Sequence, residues 1–246
     1  YKGFDINLAY DAIKKSAMQD HLGLKYYKEL GYIPDEKEVE SVSKTLEYAY
    51  DDWCIAQIAK YLGKEEDYNY FSTRAEYYRN LFDPSTNFMR AKTSDGKWKV
   101  PFNPVYSEHR NHEYTEGTAW QYSWFVPHDV EGLISLFAHK EKFIEKLDSL
   151  FITSSKLEGT NPSNDISGMI GQYAHGNEPS QHIAYLYSFV GEPWKTQQIV
   201  NKIMRTFYNN TPEGLIGNED CGQMSAWYVF SAMGFYPFNP ADQNYL

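Results

Sequence analysis

The stretch Gly217-Asn-Glu-Asp-Cys-Gly-Gln-Met-Ser-Ala-Trp-Tyr-Val-Phe-Ser-Ala-Met-Gly234 joins a glycine-flanked polar turn to an apolar segment without a charged residue. A helix of that composition is predicted to be buried on most of its sides. Its N-terminal end would then hold Glu219 and Asp220 at the edge of a deep site, where the helix dipole favours negative charge. The structural alternative is that Asp220 only caps the helix, because Asp is a preferred N-cap residue.

The chain before this stretch is predicted to be a series of helices. Apolar residues recur at steps of three and four, and the longest such series is Val42, Leu46, Ala49, Trp53 and Ala56. Gly63 is placed as a C-terminal stop for that helix. The same reasoning predicts further helices over 5–20, 68–81, 119–125, 130–150, 179–190 and 193–207, with a break near His139.

Long polar connections separate some of these helices. Residues 84–113 lose the helical period and contain Asp95-Gly96, which predicts a hairpin or long loop inserted between helices. Further long connections cover 154–178 and 211–220. Loops of this length in a compact domain are usually functional or disordered. The sequence therefore predicts an all-α fold that suits a helical toroid with a site built by loops at one end, and a helical solenoid remains an alternative.

Composition narrows the classes of partner. The 246 residues include 33 acidic and 23 basic side chains, for a formal net charge of -10, which argues against a nucleic-acid partner. Aromatic residues make up 17% of the chain, and they can stack on sugars or fill a core. No apolar run approaches the length of a membrane span. The chain begins with Tyr1, so we expect any targeting signal to lie outside it.

Glu116 is the first candidate acid. It is followed at once by Gly117 and then by apolar and aromatic residues. Loss of hydration in such a setting raises the pKa of a carboxyl group, so that it can hold a proton near neutral pH and act as a general acid. The structural alternative is an acid of a capping box or of a first helical turn.

Other polar segments supply oxygen ligands and aromatic rings. Asn177 and Glu178, in His175-Gly-Asn-Glu-Pro-Ser-Gln-His182, offer hard oxygen atoms that suit calcium. His175 and His182 are a weak zinc pair, and an ordinary hydrogen-bonded role is as good an interpretation. On the helix before Cys54, Trp53 could be core, and Asp51 or Asp52 could be solvated surface. Together these segments carry the equipment of a carbohydrate hydrolase that uses two carboxylates.

Three motifs make the chain resemble glycoside hydrolase family 92. They are Glu116-Gly-Thr-Ala-Trp-Gln-Tyr-Ser-Trp-Phe-Val-Pro-His-Asp129, His175-Gly-Asn-Glu-Pro-Ser180 and Asn218-Glu-Asp-Cys-Gly-Gln-Met-Ser-Ala-Trp227. Residues 47–57 and 82–90 are similar to that family too. The resemblance implies a calcium-dependent, exo-acting α-mannosidase that inverts the anomeric carbon. It also implies an (α/α)6 catalytic domain preceded by a β-sandwich.

The same resemblance implies roles for single residues. Glu116 matches the general acid and Asp220 the general base near the calcium. Metal contacts are implied for Asn177, Glu178 and Asp220. Substrate contacts are implied for Asp52, Trp53, His128, His175 and Glu178. Some members carry Asp where this chain has Asn218, and Gln181 replaces a frequent His.

The resemblance also sets expectations for the whole protein. Residues 1–246 correspond to a C-terminal portion of the catalytic domain, without the β-sandwich and the first barrel helices, so the missing region of the same chain is an expected partner. A periplasmic, cell-surface or secreted location is implied. The alternatives are a carbohydrate-binding helical module without catalysis and a hydrolase of another sugar. Whether Cys54 and Cys221 pair is left open by the sequence.

Overall fold

The computed structural model describes residues 3–242 and 244–246. The fold is mainly helical, as the sequence predicts. The α-helices in chain order are α1 (Ile6–Ala17), α2 (Leu24–Leu30), α3 (Ser41–Tyr61), α4 (Glu65–Ala75), α5 (Ala119–Tyr122), α6 (Val130–Ser135), α7 (Lys140–Ile152), α8 (Glu178–Gln181), α9 (Leu186–Phe189), α10 (Pro193–Phe207) and α11 (Gln223–Met233). The strands are β1 (Phe82–Asp83), β2 (Phe88–Met89), β3 (Met169–Ile170) and β4 (Tyr173–Ala174).

Helix α3 packs along α4 in the N-terminal half of the molecule. Val42, Leu46, Ala49 and Ala56 of the predicted series are buried, and Gly63 follows the helix in a left-handed conformation. Helix α4 ends at Ala75, and a 3₁₀ turn over Tyr77–Leu81 completes the segment predicted as one helix. The predicted stripe of apolar residues therefore places α3 correctly.

The insertion predicted near 84–113 contains two short antiparallel pairings. Strands β1 and β2 pair as Phe82↔Met89 and Asp83↔Phe88. A second reversal brings Lys92 opposite Trp98 around Gly96, which has a φ of 80°. The predicted hairpin character is confirmed, and an irregular loop then leads from residue 101 to Glu116.

The main core extends from α3 to the C-terminal helices and is rich in aromatic residues. Trp124, Phe137 and Phe143 meet edge to face or stacked, and Tyr208 stacks on Trp227 at 5.9 Å between ring centroids. The sequence predicts one helix over 179–190, but the structure breaks it into α8, a 3₁₀ turn at Ile183–Tyr185 and α9. Most of this segment is buried, so packing overrides the helical period.

Helix α11 corrects another expectation. Its buried residues are Met224, Trp227 and Ser231, whereas Val229 is 53% exposed and Met233 is 63% exposed. The prediction of burial on most sides is wrong for the chain as described, because α11 contacts the core through one face only. Within the described residues, no helix is both long and apolar enough to cross a membrane.

Candidate active site

Glu116 occupies a turn just before α5. Its φ of 47° lies in the left-handed region, which non-glycine residues seldom adopt. A capping box does open α5, but Thr118 and Gln121 form it, so the capping-box role considered for Glu116 is wrong. The Tyr122 ring approaches Gly117 closely: a Cβ there would lie 3.0 Å from Cε2 of the ring, so a larger residue would displace the ring.

Contacts from two directions hold the Glu116 turn. The backbone N–H of Thr115 donates to Oγ of Ser43 on α3 at 2.8 Å. The side-chain amide of Asn177 donates to the carbonyl oxygen of Glu116 at 3.0 Å. Left-handed backbone at a non-glycine residue costs about 1–3 kcal/mol and persists only where the surroundings hold it. These hydrogen bonds are surroundings of that kind.

The carboxyl group of Glu116 is exposed in the described chain rather than enclosed. Its pKa is nevertheless raised, first by partial loss of hydration and then by the negative charge of Asp165. The direction agrees with the sequence-based expectation for a general acid. The enclosure inferred from the neighbouring apolar residues is not present, because those residues point into the core below the turn.

A second loop carries Asn177 and Glu178. It follows the β3–β4 hairpin, in which Met169 pairs with Ala174. Asn177 is buried and precedes α8, where its side-chain oxygen accepts from the backbone N–H of Glu178 at 3.2 Å. Glu178 itself is exposed. The amide of Asn177 therefore links the Glu116 turn to the start of α8.

The third loop, 217–222, carries Asp220. Asp220 and Cys221 have φ values of 38° and 56°, and Gly222 is the residue before α11. Asp220 does not cap the helix, so that alternative is wrong. Glu219 instead reaches the first turn of α11, where its Oε1 accepts from the backbone N–H of Ser225 at 3.2 Å.

The second and third loops touch at glycines. A Cβ on Gly217 would lie 2.5 Å from the carbonyl oxygen of Gly176, which excludes larger residues there. This backbone contact brings Glu178 to Asp220. Partial loss of hydration raises the pKa of Glu178, and the negative charge of Asp220 and, to a smaller extent, that of Glu116 raise it further.

The donors here suit a hard cation in their chemistry. The carboxyl groups of Glu178 and Asp220 repel each other, and a divalent ion bound between them would stabilise such a pair. Oε2 of Glu219 is buried without a hydrogen-bond partner among the described residues. Among all the residues that the structure describes, however, no group of three or more His, Cys, Asp or Glu side chains is arranged so that it could hold a metal ion.

His175 lies in the core rather than on the wall of a pocket. It is 0% exposed, and both ring nitrogens are engaged: Tyr173 at 2.8 Å from Nδ1 and Tyr208 at 2.7 Å from Nε2. Burial lowers its pKa to about 3, which keeps it neutral. The substrate contact expected of His175 is therefore not available in this structure, and the residue instead anchors the loop of Asn177.

Asp52 is also a core residue. It is 1% exposed, and its Oδ2 accepts from Nε of Arg74 at 2.7 Å and from the hydroxyl of Tyr27 at 2.9 Å. Arg74 is 1% exposed as well. Neither the solvated surface nor the substrate contact considered for Asp52 is found, because the ion pair ties α3 to α4 inside the molecule.

Trp53 and His128 do lie together. Their rings are 6.4 Å apart, and Tyr50 lies near both, at 6.2 Å from Trp53 and 5.9 Å from His128. Trp53 and His128 line a cavity of about 340 Å³, and Asn239 forms part of its other walls. Nε2 of His128 donates to the carbonyl oxygen of Ala75 at 2.9 Å, which fixes the ring.

Two acids near Glu116 were not singled out from the sequence as site residues. Burial raises the pKa of Glu47 to about 7, and its Oε1 accepts from the hydroxyl of Tyr122 at 3.2 Å. Asp165 accepts from the side-chain amide of Asn218 at 3.2 Å. Glu47 shares its motif with the aromatic residues of α3, which could have marked it, whereas no local pattern distinguishes Asp165.

The cysteines are both free in the structure, with Cys54 half-buried and Cys221 exposed.

The model of the glycosyl hydrolase family 92 catalytic domain matches residues 1–246. The chain belongs to that family.

Solved structures agree with this assignment. A family GH92 α-mannosidase of Bacteroides thetaiotaomicron in complex with mannoimidazole is 51% identical, with a TM-score of 0.93, over 99% of this chain and 33% of that protein. A family GH92 inverting mannosidase of Bacteroides thetaiotaomicron VPI-5482 is 39% identical, with a TM-score of 0.83, over 98% of this chain and 34% of that protein. These catalytic domains are α/α toroids, so the predicted fold class is confirmed.

A curated relative gives the same family likeness at greater distance. An uncharacterized secreted glycosidase of Arthroderma benhamiae is 30% identical over 278 residues, covering 98% of this chain and 33% of that protein. The family 92 chain thus spans about a third of the length of the relatives it matches.

Proposed function

We propose that the protein is an inverting, exo-acting α-mannosidase that removes terminal α-linked mannose from glycans. The observation that carries this proposal is the convergence of three loops: the side-chain amide of Asn177 donates to the carbonyl oxygen of Glu116 at 3.0 Å, and a Cβ on Gly217 would lie 2.5 Å from the carbonyl oxygen of Gly176. The negative charges of Asp220 and Glu116 both raise the pKa of Glu178. Similarity to solved family GH92 α-mannosidases supports mannose as the sugar. The similarity to an inverting mannosidase supports the stereochemical outcome.

In the proposed reaction, Glu116 donates its carboxyl proton to the glycosidic oxygen as the bond from that oxygen to the anomeric carbon breaks. Asp220 takes a proton from a water molecule whose oxygen bonds to the anomeric carbon from the opposite face. The sugar leaves with inverted configuration. Asp220 then releases its proton to solvent and Glu116 regains one from solvent before the next turnover. Such a mechanism requires about 6.5–9.5 Å between the two carboxyl groups, which leaves room for the water.

Calcium is the proposed cofactor, and Asn177, Glu178 and Asp220 are the residues that would hold it. When bound, such an ion supplies positive charge that can orient sugar hydroxyl groups. The rest of its oxygen ligands would come from water, substrate and parts of the protein outside this chain. The carbonyl contact between Asn177 and Glu116 keeps the proposed acid next to this position.

The remainder of the protein is proposed to complete the substrate pocket. Glu116 and Asp220 are exposed to solvent. A binding pocket for a terminal sugar would need further protein segments to enclose them. An exported location is also proposed, because the Arthroderma benhamiae relative is named as secreted.

Proton NMR of the reducing sugar released from an aryl α-mannoside tests the mechanism. The intact protein should release β-mannose first, and chelation should abolish turnover until calcium is restored. Initial release of α-mannose would refute inversion, and full activity after chelation would refute the cofactor. Turnover of only another sugar would favour a different glycosidase, and saccharide binding without turnover would favour a carbohydrate-binding module.

A further inference from the structure

Asp165 lies in the connection between α7 and β3, and the proposed reaction gives it no role. We propose that Asp165 is a positioning residue that holds the turn carrying Asp220 through a hydrogen bond from Asn218. This inference rests on the proposed function, since the position of Asp220 matters only if it acts on water. Asn218 is two residues before Asp220, so a hydrogen bond from its side chain restrains the turn that carries Asp220.

Both oxygens of the Asp165 carboxylate have partners. Oδ1 accepts from the side-chain amide of Asn218 at 3.2 Å, and Oδ2 accepts from the hydroxyl of Ser163 at 2.8 Å. Ser163 is buried, and its hydroxyl also receives the backbone N–H of Asp165 at 3.4 Å. The carboxylate is therefore oriented by its own loop before it meets Asn218.

The loop of Asp165 is tied to its neighbours on both sides. Upstream, Ser107 and His109 donate backbone N–H groups to the carbonyl oxygens of Glu158 and Asn161 at 2.8 and 2.9 Å. Downstream, the backbone N–H of Gly176 donates to the carbonyl oxygen of Ser167 at 3.0 Å. Asp165 thus projects from a braced segment that also supports the loop of Glu178.

The turn that receives this support needs it. Asp220 and Cys221 are consecutive non-glycine residues with positive φ, a conformation that the chain does not favour by itself. On the N-terminal side, the turn is held by the backbone contact of Gly217 with Gly176 and by the side chain of Asn218. The glycine contact limits the approach of the loops, whereas the hydrogen bond from Asn218 has a direction and can set orientation.

Variants of the intact protein separate positioning from charge. D165A removes the acceptor and should lower kcat for an aryl α-mannoside by about tenfold to a hundredfold, with KM little changed, because small misplacements of a catalytic group cost that much. D165N keeps an acceptor for Asn218 and should retain much more of kcat than D165A, although both variants remove the negative charge that helps to raise the pKa of Glu116. Equal loss in D165A and D165N would overturn the proposal in favour of a charge effect.

The Asn218 side gives a matched cycle. N218A should lose as much kcat as D165A, and the D165A/N218A double variant should lose no more than either alone. N218D places two carboxylates together and should be worse than N218A, whereas N218D/D165N restores a donor and an acceptor in reversed order and should recover activity. Multiplying losses in D165A/N218A, or failure of the reversed pair to recover activity, would overturn the proposal.

Hydrogen exchange of the peptide covering 217–224 provides a readout that does not need turnover. D165A should speed exchange of the amides that close this turn, including those of Gln223 and Met224, while D165N should not. Inactivity of the wild-type protein with this exchange pattern would refute the proposed function alone. Unchanged exchange and unchanged kcat in D165A, with an active wild type, would refute the positioning role alone.

Discussion

Asp220 and Asp52 are chemically the same residue in opposite settings. Asp52 is buried in α3 and receives hydrogen bonds from Arg74 and Tyr27, so its charge is neutralised inside the fold. Asp220 is exposed in a left-handed turn, and its near neighbour is another carboxyl group, that of Glu178. The comparison teaches that an acid in a family motif is available for chemistry only where the fold leaves its charge without a fixed counter-ion.

The same contrast separates neighbours in one motif. His175 and Glu178 are three residues apart, yet His175 has both ring nitrogens bonded in the core and Glu178 faces the other acids. We therefore expect substitutions of the buried residues Asp52 and His175 to change stability, and substitutions of the exposed acids to change turnover.

Glu116→Gln and Asp220→Asn should each lower kcat of the intact protein by about 10²–10⁴-fold, because each removes a proton transfer. The midpoint of thermal unfolding should stay near that of the wild type, since both side chains are exposed. Glu213→Gln, an exposed acid elsewhere in the last long loop, is the matched control and should keep full turnover. Retained turnover in Glu116→Gln or Asp220→Asn would remove that residue from the mechanism.

Asp52→Ala should lower the free energy of unfolding by about 3–5 kcal/mol, because it leaves the buried guanidinium of Arg74 without its counter-ion. Asp51→Ala, at the adjacent exposed position of α3, should change it by less than about 0.5 kcal/mol. Chemical denaturation of the intact protein measures both. A loss of turnover in Asp52→Ala without a loss of stability would instead return Asp52 to the substrate pocket.

Acid should destabilise the fold through two buried histidines. Burial lowers the pKa of His175 to about 3 and that of His182 to about 4, while in the unfolded chain both titrate near the ordinary value of 6.5. The stabilising contribution is thus fully present above pH 6.5 and is lost as the pH falls toward the folded-state values, because the unfolded chain binds protons first. Between pH 6.5 and 5, each histidine should remove up to about 2 kcal/mol.

Unfolding free energies measured across this pH range check the sign. His175→Gln should flatten the dependence, since the substituted side chain does not titrate. A slope that is unchanged in His175→Gln would show that His175 has the same pKa in the folded and the unfolded chain, which would contradict the burial effect.

Tyr208→Phe should have the smallest effect. The hydroxyl of Tyr208 lies 2.7 Å from Nε2 of His175 and donates to the carbonyl oxygen of Met224 at 3.2 Å. Its removal should lower the free energy of unfolding by about 1–2 kcal/mol. Tyr228→Phe on the exposed face of α11 is the control and should be close to neutral. Equal effects in the two variants would mean that the bond to His175 contributes nothing.

Much of the fold follows from patterns that are local in the chain. The steps of three and four in α3, the glycine after it and the break before α7 at His139 place helices where the structure has them. The segment 179–190 does not follow its pattern, because nearly all of it is buried and tertiary contacts outweigh the helical period. The burial predicted for α11 is too high, because its composition shows how apolar the helix is and not how many segments pack against it.

Residue type and spacing are local properties of the chain, and they were enough to identify the helical class, the family and the acids of the site loops. Contacts between distant segments determine which acids and histidines become core partners and which stay exposed, and those contacts exist only in the folded chain. Gly176 against Gly217 and Asp165 against Asn218 are such contacts, each joining loops more than 40 residues apart. No local period records them, and they bring Asp220 next to Glu178.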